Sequence, residues 1–133
     1  CWHYADDLDK AIPHNDREPT QPYAVWVRDR VEADEELKNL SADQLKQQGV
    51  PGVTLLERMI YELKYWGETG KHLDIRNRTL CSGSRASVGG VPDADWRGDW
   101  FEVHWSRPDL CFGGGLRSRS VVSLPAKPTE SVA

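Results

Sequence analysis

Three aspartates stand at a spacing that could hold a cation, Asp93-x-Asp95-x-x-x-Asp99. Calcium, a hard cation, gathers many oxygen ligands, and closely spaced carboxylates are the usual source. Three such groups fall short of a full set, and solvated surface carboxylates are far commoner than ligands. Asp99 and Glu102 could share acid–base work. Cys81 or Cys111 with His104 or His72 could form a nucleophile–base dyad, with Asp74 orienting His72. Nothing in the spacing assembles that constellation, and a cysteine is ordinarily a small buried hydrophobe. The Cys1-Trp2-His3 start could join His14 as metal ligands, yet no CxxC pair completes a zinc set. The expectation is a protein that is not an enzyme, with no catalytic residue, no metal site and no cofactor.

These residues need elements to position them. Ser41-Ala-Asp-Gln44 is a capping-box pattern that starts a short helix, ended by Gly49 and Pro51. Thr54-Leu-Leu-Glu57 repeats the pattern. After it Leu55, Leu56, Met59, Ile60, Leu63 and Trp66 recur at helical spacing until Glu68-Thr69-Gly70, which predicts an amphipathic helix with its apolar side on the core. Tyr23–Val27 is rich in β-formers. Strands are expected around residues 79–82, 101–105 and 116–122, and Phe101–Trp105 alternates apolar and polar residues as a half-buried strand does. Arg28–Leu40 could be helix or loop. Glycines and prolines between the strands predict long loops. Helices first and short strands after define an α+β domain. Residues 1–24, broken by Pro13, Pro19 and Pro22, read as an irregular wrapping arm, residues 25–123 as the domain, and residues 124–133 as a frayed tail.

Composition narrows the partners. The 133 residues suffice for one domain, and six tryptophans belong to a packed structure. Net charge is -4, and the late arginines alternate with Asp93, Asp95, Asp99, Glu102 and Asp109, which cancels the basic field a nucleic-acid binder needs. No stretch reaches the apolar length of a membrane span. Three cysteines without CxxC spacing point to free thiols and a reducing compartment. The chain starts at Cys1 rather than Met, as a processed or trimmed chain does.

Residues 82–123 contain no Lys, Gln or Met, and Glu only at position 102, although the first 81 residues use Lys and Gln freely. Loops stay solvated through Lys and Glu, so their loss needs a cause. Recognition surfaces are depleted in Lys and Glu and enriched in aromatic residues and Arg. Trp96, Trp100, Phe101, Trp105 and Phe112 with Arg97, Arg107 and His104 match that composition, although part of the tryptophan set belongs to the core.

Leu80-Cys-Ser-Gly-Ser-Arg85, followed by Val91-Pro92, Trp96, Val103, Trp105, Pro108 and Leu116-Arg117-x-Arg119, resembles the variable proteins of diversity-generating retroelements in minimal-genome bacteria and archaea. The resemblance covers residues 23–123 and is most specific from Leu80 onward. It implies a C-type-lectin-like fold of the formylglycine-generating-enzyme type, on which adenine-directed mutagenesis scatters AAC codons through a variable region at residues 86–115. Such codons cannot become Lys, Glu, Gln, Met or Trp. The candidate ligand-binding positions it implies, between the scaffold residues, are Ala86, Gly90, Asp93, Asp95, Arg97, Gly98, Asp99, Phe101, His104, Ser106, Arg107, Leu110, Cys111, Phe112, Gly113 and Gly114. All are reachable from AAC; Trp100 and Glu102 are not, and would be fixed. Val88 departs from the family's Asp. The lectins' sugar-binding Glu-Pro-Asn, Gln-Pro-Asp and Trp-Asn-Asp tripeptides are missing, so calcium-dependent sugar binding is not implied. Arg85, Arg117 and Arg119 are expected as internal braces, since the guanidinium fork suits fixed geometry.

The function these readings predict is a ligand-binding module with a diversified surface on a rigid scaffold, its unknown ligand more plausibly a protein than a glycan. The alternative is an assembly protein that uses the Trp/Gly-rich region as a subunit interface; a Cys/His hydrolase ranks below both.

Overall fold

The computed structural model describes residues 8–87, 89–109 and 115–123. Val88, Leu110, Cys111, Phe112, Gly113, Gly114, the first seven residues and the 124–133 segment therefore lie outside the described residues. The described chain is a mixed α+β structure, as expected. Its elements are helices α1 (Leu8–Ala11), α2 (Ala42–Gln47) and α3 (Leu55–Thr69), and strands β1 (His14–Asn15), β2 (Val25–Trp26), β3 (Arg78–Leu80), β4 (Ser84–Arg85), β5 (Val91–Arg97), β6 (Trp100–Ser106), β7 (Leu116–Ser118) and β8 (Val122–Ser123). Glu35–Leu37 adds a 3₁₀ turn.

Both capping boxes form. Ser41 Oγ accepts from the Gln44 amide while the Gln44 side chain accepts from the Ser41 amide, and Thr54 and Glu57 reciprocate in the same way. α3 ends at Gly70, whose φ of 70° lets the chain turn left-handed at no steric cost.

The central sheet has the order β6-β5-β3-β7, antiparallel except for the parallel β3–β7 pair. β5 is a strand that the sequence does not announce, since Val91-Pro-Asp-Ala-Asp-Trp-Arg97 carries strand-disfavoured Pro and Asp. Pairing on both sides imposes it: β6 runs alongside over its whole length, and the Pro92 carbonyl accepts from the Cys81 amide at 2.8 Å. The arm is partly built in. β1 pairs with β4, and Ile12 is buried in the core.

The sheet has two faces. One packs Cys81, Ala94, Phe101 and Val103 against Leu55, Val53, Ile12 and Val121, with Met59 of α3 and Trp96 and Trp105 at the margin. On the other, Leu80, Val91 and Leu116 are covered by Leu37, Ala42 and Leu45.

α3 overturns its expected orientation. Its buried residues are Leu55, Glu57, Arg58 and Glu62, whereas Leu56, Ile60, Leu63 and Trp66 are 39%, 54%, 71% and 51% exposed. The reason is an ionic network inside the core. Asp74, held at a φ of 53°, accepts on Oδ2 from Arg58 Nε at 2.9 Å and from the Thr79 hydroxyl. Its Oδ1 accepts from Arg119 Nη2 at 3.0 Å and the Ala33 amide at 2.8 Å. Arg119 also donates to the Arg30 and Val31 carbonyls, and Arg58 to Glu62 at 3.0 Å. Buried charges persist only when paired and fully hydrogen-bonded, so the helix must turn Arg58 and Glu62 inward. Arg119 is thus an internal brace, as expected, and Arg85 braces the Ser82 and Ser84 carbonyls.

Candidate functional site: the polar face of the β5–β6 hairpin

β5 and β6 turn at Gly98-Asp99, with positive φ at Gly98 alone, as a type II′ hairpin requires. The Trp96 indole N–H donates to the Gly98 carbonyl at 2.9 Å and pins the tip. Trp96 itself stacks on His72 (centroids 3.4 Å apart), which stacks on Trp66 and bonds Glu62 at 2.8 Å, so the hairpin is tied to α3 through aromatic rings.

Cross-strand partners share a face of an antiparallel pair. Val91↔Ser106, Asp93↔His104, Asp95↔Glu102 and Arg97↔Trp100 lie on one face, and Pro92↔Trp105, Ala94↔Val103 and Trp96↔Phe101 on the core face. Of the expected site residues, Asp93, Asp95, Arg97, His104 and Ser106 are therefore brought together, with Gly98 and Asp99 at the exposed tip beside them. Phe101 is not: it is 8% exposed, on the opposite face, with the Arg58 guanidinium 5.2 Å from its ring centroid. Ala86, 2% exposed, belongs to the same core, and its amide donates to the Gly90 carbonyl at 2.7 Å. Gly90 is half-buried against Trp105, where an added Cβ would come within 3.2 Å of the indole. Arg107 is exposed and pairs with Asp109 at 3.0 Å. Leu110, Cys111, Phe112, Gly113 and Gly114 lie outside the described residues.

The face also contains residues that the sequence reading did not include in the site. Glu102 accepts from the Trp100 indole at 3.2 Å, lies 3.4 Å from His104 Nε2 and pairs with Arg97 Nε at 3.2 Å. Partial burial works against its charge, but the Trp100 and His104 hydrogen bonds and Arg97 outweigh it and hold the carboxyl below its ordinary value. Arg78 of β3 brings Nη1 to 3.8 Å from Asp93 Oδ1. The alternation of acidic residues along β5 was the available signal for this face; Arg78 had none, because only the β3–β5 pairing brings it there.

Asp93 and Asp95 are 2% and 6% exposed. Burial raises both carboxyls, Asp93 to about 6, with Arg78 and His104 pulling back and Asp95 and Glu102 adding to the rise. Asp95 is raised by burial and then by Glu102. Asp93 Oδ1, Asp95 Oδ1 and Ser106 Oγ are buried without any hydrogen bond inside the protein. All three lie on this one face. Each such orphaned group costs on the order of 1–3 kcal/mol. Of the three residues, Asp95 lines a cleft of about 450 Å³ that runs between Ile75–Arg78 and the hairpin tip; Asp93 and Ser106 do not line it. Its outer wall is fixed by Glu32, whose carboxylate accepts from the Ile75, Arg76 and Asn77 amides.

Among the described residues no group of His, Cys, Asp and Glu has the arrangement of a metal site. Cys81 is wholly buried, its thiol is pushed up by that burial, and its Sγ donates to the Thr79 carbonyl at 3.7 Å. A thiol so placed is a weak nucleophile. Among the described residues no helix is long and apolar enough to cross a membrane.

No protein-family model matches the chain, and neither does any curated protein or solved structure.

Proposed function

We propose that the chain is a ligand-binding module that presents the polar β5–β6 face on a rigid scaffold with a C-type-lectin-like core, of the kind diversified by retroelements. The observation that carries this reading is the grouping of three buried polar atoms without a hydrogen bond, on Asp93, Asp95 and Ser106, on one face whose Asp95 lines an open cleft. A ligand donating hydrogen bonds there would recover energy that the free protein forgoes. Two carboxylate oxygens without a hydrogen bond, one of them 3.8 Å from the Arg78 guanidinium, favour an amine or guanidinium, such as Lys or Arg side chains on a protein partner.

The period-2 division of the hairpin supports exchangeability. Asp93, Asp95, Arg97, His104 and Ser106, the positions the resemblance makes variable, share one face of the hairpin, whose Val91 end lies under Leu37, Ala42 and Leu45, while Pro92, Trp96, Val103 and Trp105, its scaffold positions, share the other. None of these five polar side chains belongs to either apolar cluster, although Asp93 and Asp95 are 2% and 6% exposed, so exchanging them removes less packing than exchanging Ala94, Trp96, Val103 or Trp105. Phe101 and Ala86 are the exceptions; both belong to the core, and the reading excludes them from the surface.

A displayed library tests this. Randomising Asp93, Asp95, Arg97, His104 and Ser106 together should leave most clones resistant to trypsin, and randomising Pro92, Ala94, Trp96, Val103 and Trp105 should leave few. Equal loss in both libraries would overturn the reading. Selection of the first library on a lysine-rich and an acidic protein should enrich clones that keep Asp93 and Asp95 only on the former.

A further inference from the structure

The outward side of α3 is the least explained surface of the molecule. Leu56, Ile60 and Leu63 lie exposed along it, and Gly67 continues the line. The steps of four, three and four residues are those of alternating d and a positions in a heptad, with Leu at d and Ile at a. A strict seam of this kind is narrower than the stripe a helix shows to its own core. The core is already served by the other side, through Leu55, Arg58, Met59 and Glu62.

Gly67 adds an independent observation. It sits inside α3 with ordinary helical φ, and a Cβ there would meet nothing within 4 Å. Glycine weakens a helix interior, and nothing among the described residues requires it here. A close-approaching partner would.

We infer that α3 is the self-association seam of the protein, packing antiparallel against α3 of a second copy. In an antiparallel pair, a positions of one helix face d positions of the other. Leu56 then enters the gap left by Gly67 of the second copy, and Ile60 meets Leu63, each layer repeated by the two-fold axis. The seam is self-complementary in size, large against absent and branched against branched. Tyr23 and Trp26, both exposed, rise beside it along a groove of about 1140 Å³ that Leu56 and Ile60 also line. With them the seam offers roughly 500 Å² of apolar surface per copy, so a pair would bury on the order of 1,000 Å², the lower bound for a specific interface.

α3 packs on the face of the sheet opposite Asp93, Asp95 and His104, so a pair formed through it does not cover those residues. The pairing does not depend on what that face binds.

Sedimentation equilibrium of the full chain under reductant, at concentrations up to about 100 μM, should give twice the 15.1 kDa chain mass. Leu63→Glu should return it to one chain mass with an unchanged circular dichroism spectrum. Gly67→Ala should raise the midpoint of thermal unfolding of dilute protein, by improving the helix, and yet weaken self-association about tenfold or more by filling the Leu56 hole. A chain that stays at one mass throughout overturns the inference, as does a dimer that survives Leu63→Glu or one that Gly67→Ala strengthens.

Discussion

Asp74→Asn should unfold the protein far more easily than an isosteric change on a surface would. Asp74 is wholly buried and takes four donors, from Arg58, Arg119, Thr79 and the Ala33 amide. Asparagine keeps the shape and tolerates the left-handed backbone that Asp74 adopts at φ 53°. It loses the negative charge, and its amide group must face a donor whichever way it is turned. Arg58 and Arg119, 0% and 1% exposed, then share a core in which, among the described residues, Glu62 is the carboxylate left paired with them. Breaking a buried ion pair from one side costs about 3–5 kcal/mol. A domain of this size loses roughly 3–5 °C of melting temperature per kcal/mol, so a fall of about 10–20 °C is expected. Reversible thermal unfolding followed by circular dichroism at pH 7 reads it. Asp74→Gly relaxes the backbone but removes the carboxylate altogether, and should be at least as damaging. If Asp74→Asn melts within about 3 °C of the unaltered chain, the ionic network does not hold α3 in its inverted orientation. If Asp74→Gly proves stabilising, backbone strain outweighs the network.

Two further outcomes follow from the geometry. Because burial lifts Asp93 to about 6 from 3.8, the native state binds its proton more tightly than the unfolded chain does. Stability is therefore lost as pH rises from about 4 through 6, by about 3 kcal/mol for two pKa units. Asp93→Asn should accordingly raise the urea midpoint at pH 8 and change little at pH 4; a variant no more stable at pH 8 contradicts this sign. Gly83 carries no side chain because an added Cβ would stand 2.5 Å from the Gly52 carbonyl oxygen and 3.0 Å from that of Val53, both backbone atoms. Gly83→Ala should cost at least about 2 kcal/mol in chemical denaturation, since overpacking against backbone cannot be relieved by a rotamer change; a loss below about 0.5 kcal/mol would mean that the β4 turn is free to shift.

The amino-acid sequence by itself determined the features whose causes lie within a few residues. Ser41 with Gln44 and Thr54 with Glu57 start α2 and α3, and Gly70 ends α3, because caps satisfy the free amides and carbonyls of helix ends locally. The alternation from Phe101 to Trp105 marks β6 and assigns its two faces to core and surface. The absence of Lys from residues 82–123 sets apart the segment that contains the hairpin. Only the tertiary structure decided which side of α3 faces inward. The apolar spacing of Leu56, Ile60 and Leu63 predicts burial, but Arg58 and Glu62 claim the inner side through partners at positions 72, 73 and 74 that helical periodicity cannot see. Tertiary pairing likewise makes a strand of Val91–Arg97 against its Pro and Asp content, since flanking β3 and β6 supply the hydrogen bonds that propensity alone would not. That pairing buries Asp93 and Asp95 and sends Phe101 to the core. All three are expected on a common surface from the sequence; the parity of the hairpin register separates Phe101 from the two aspartates, because each step along a strand reverses the face to which a side chain points.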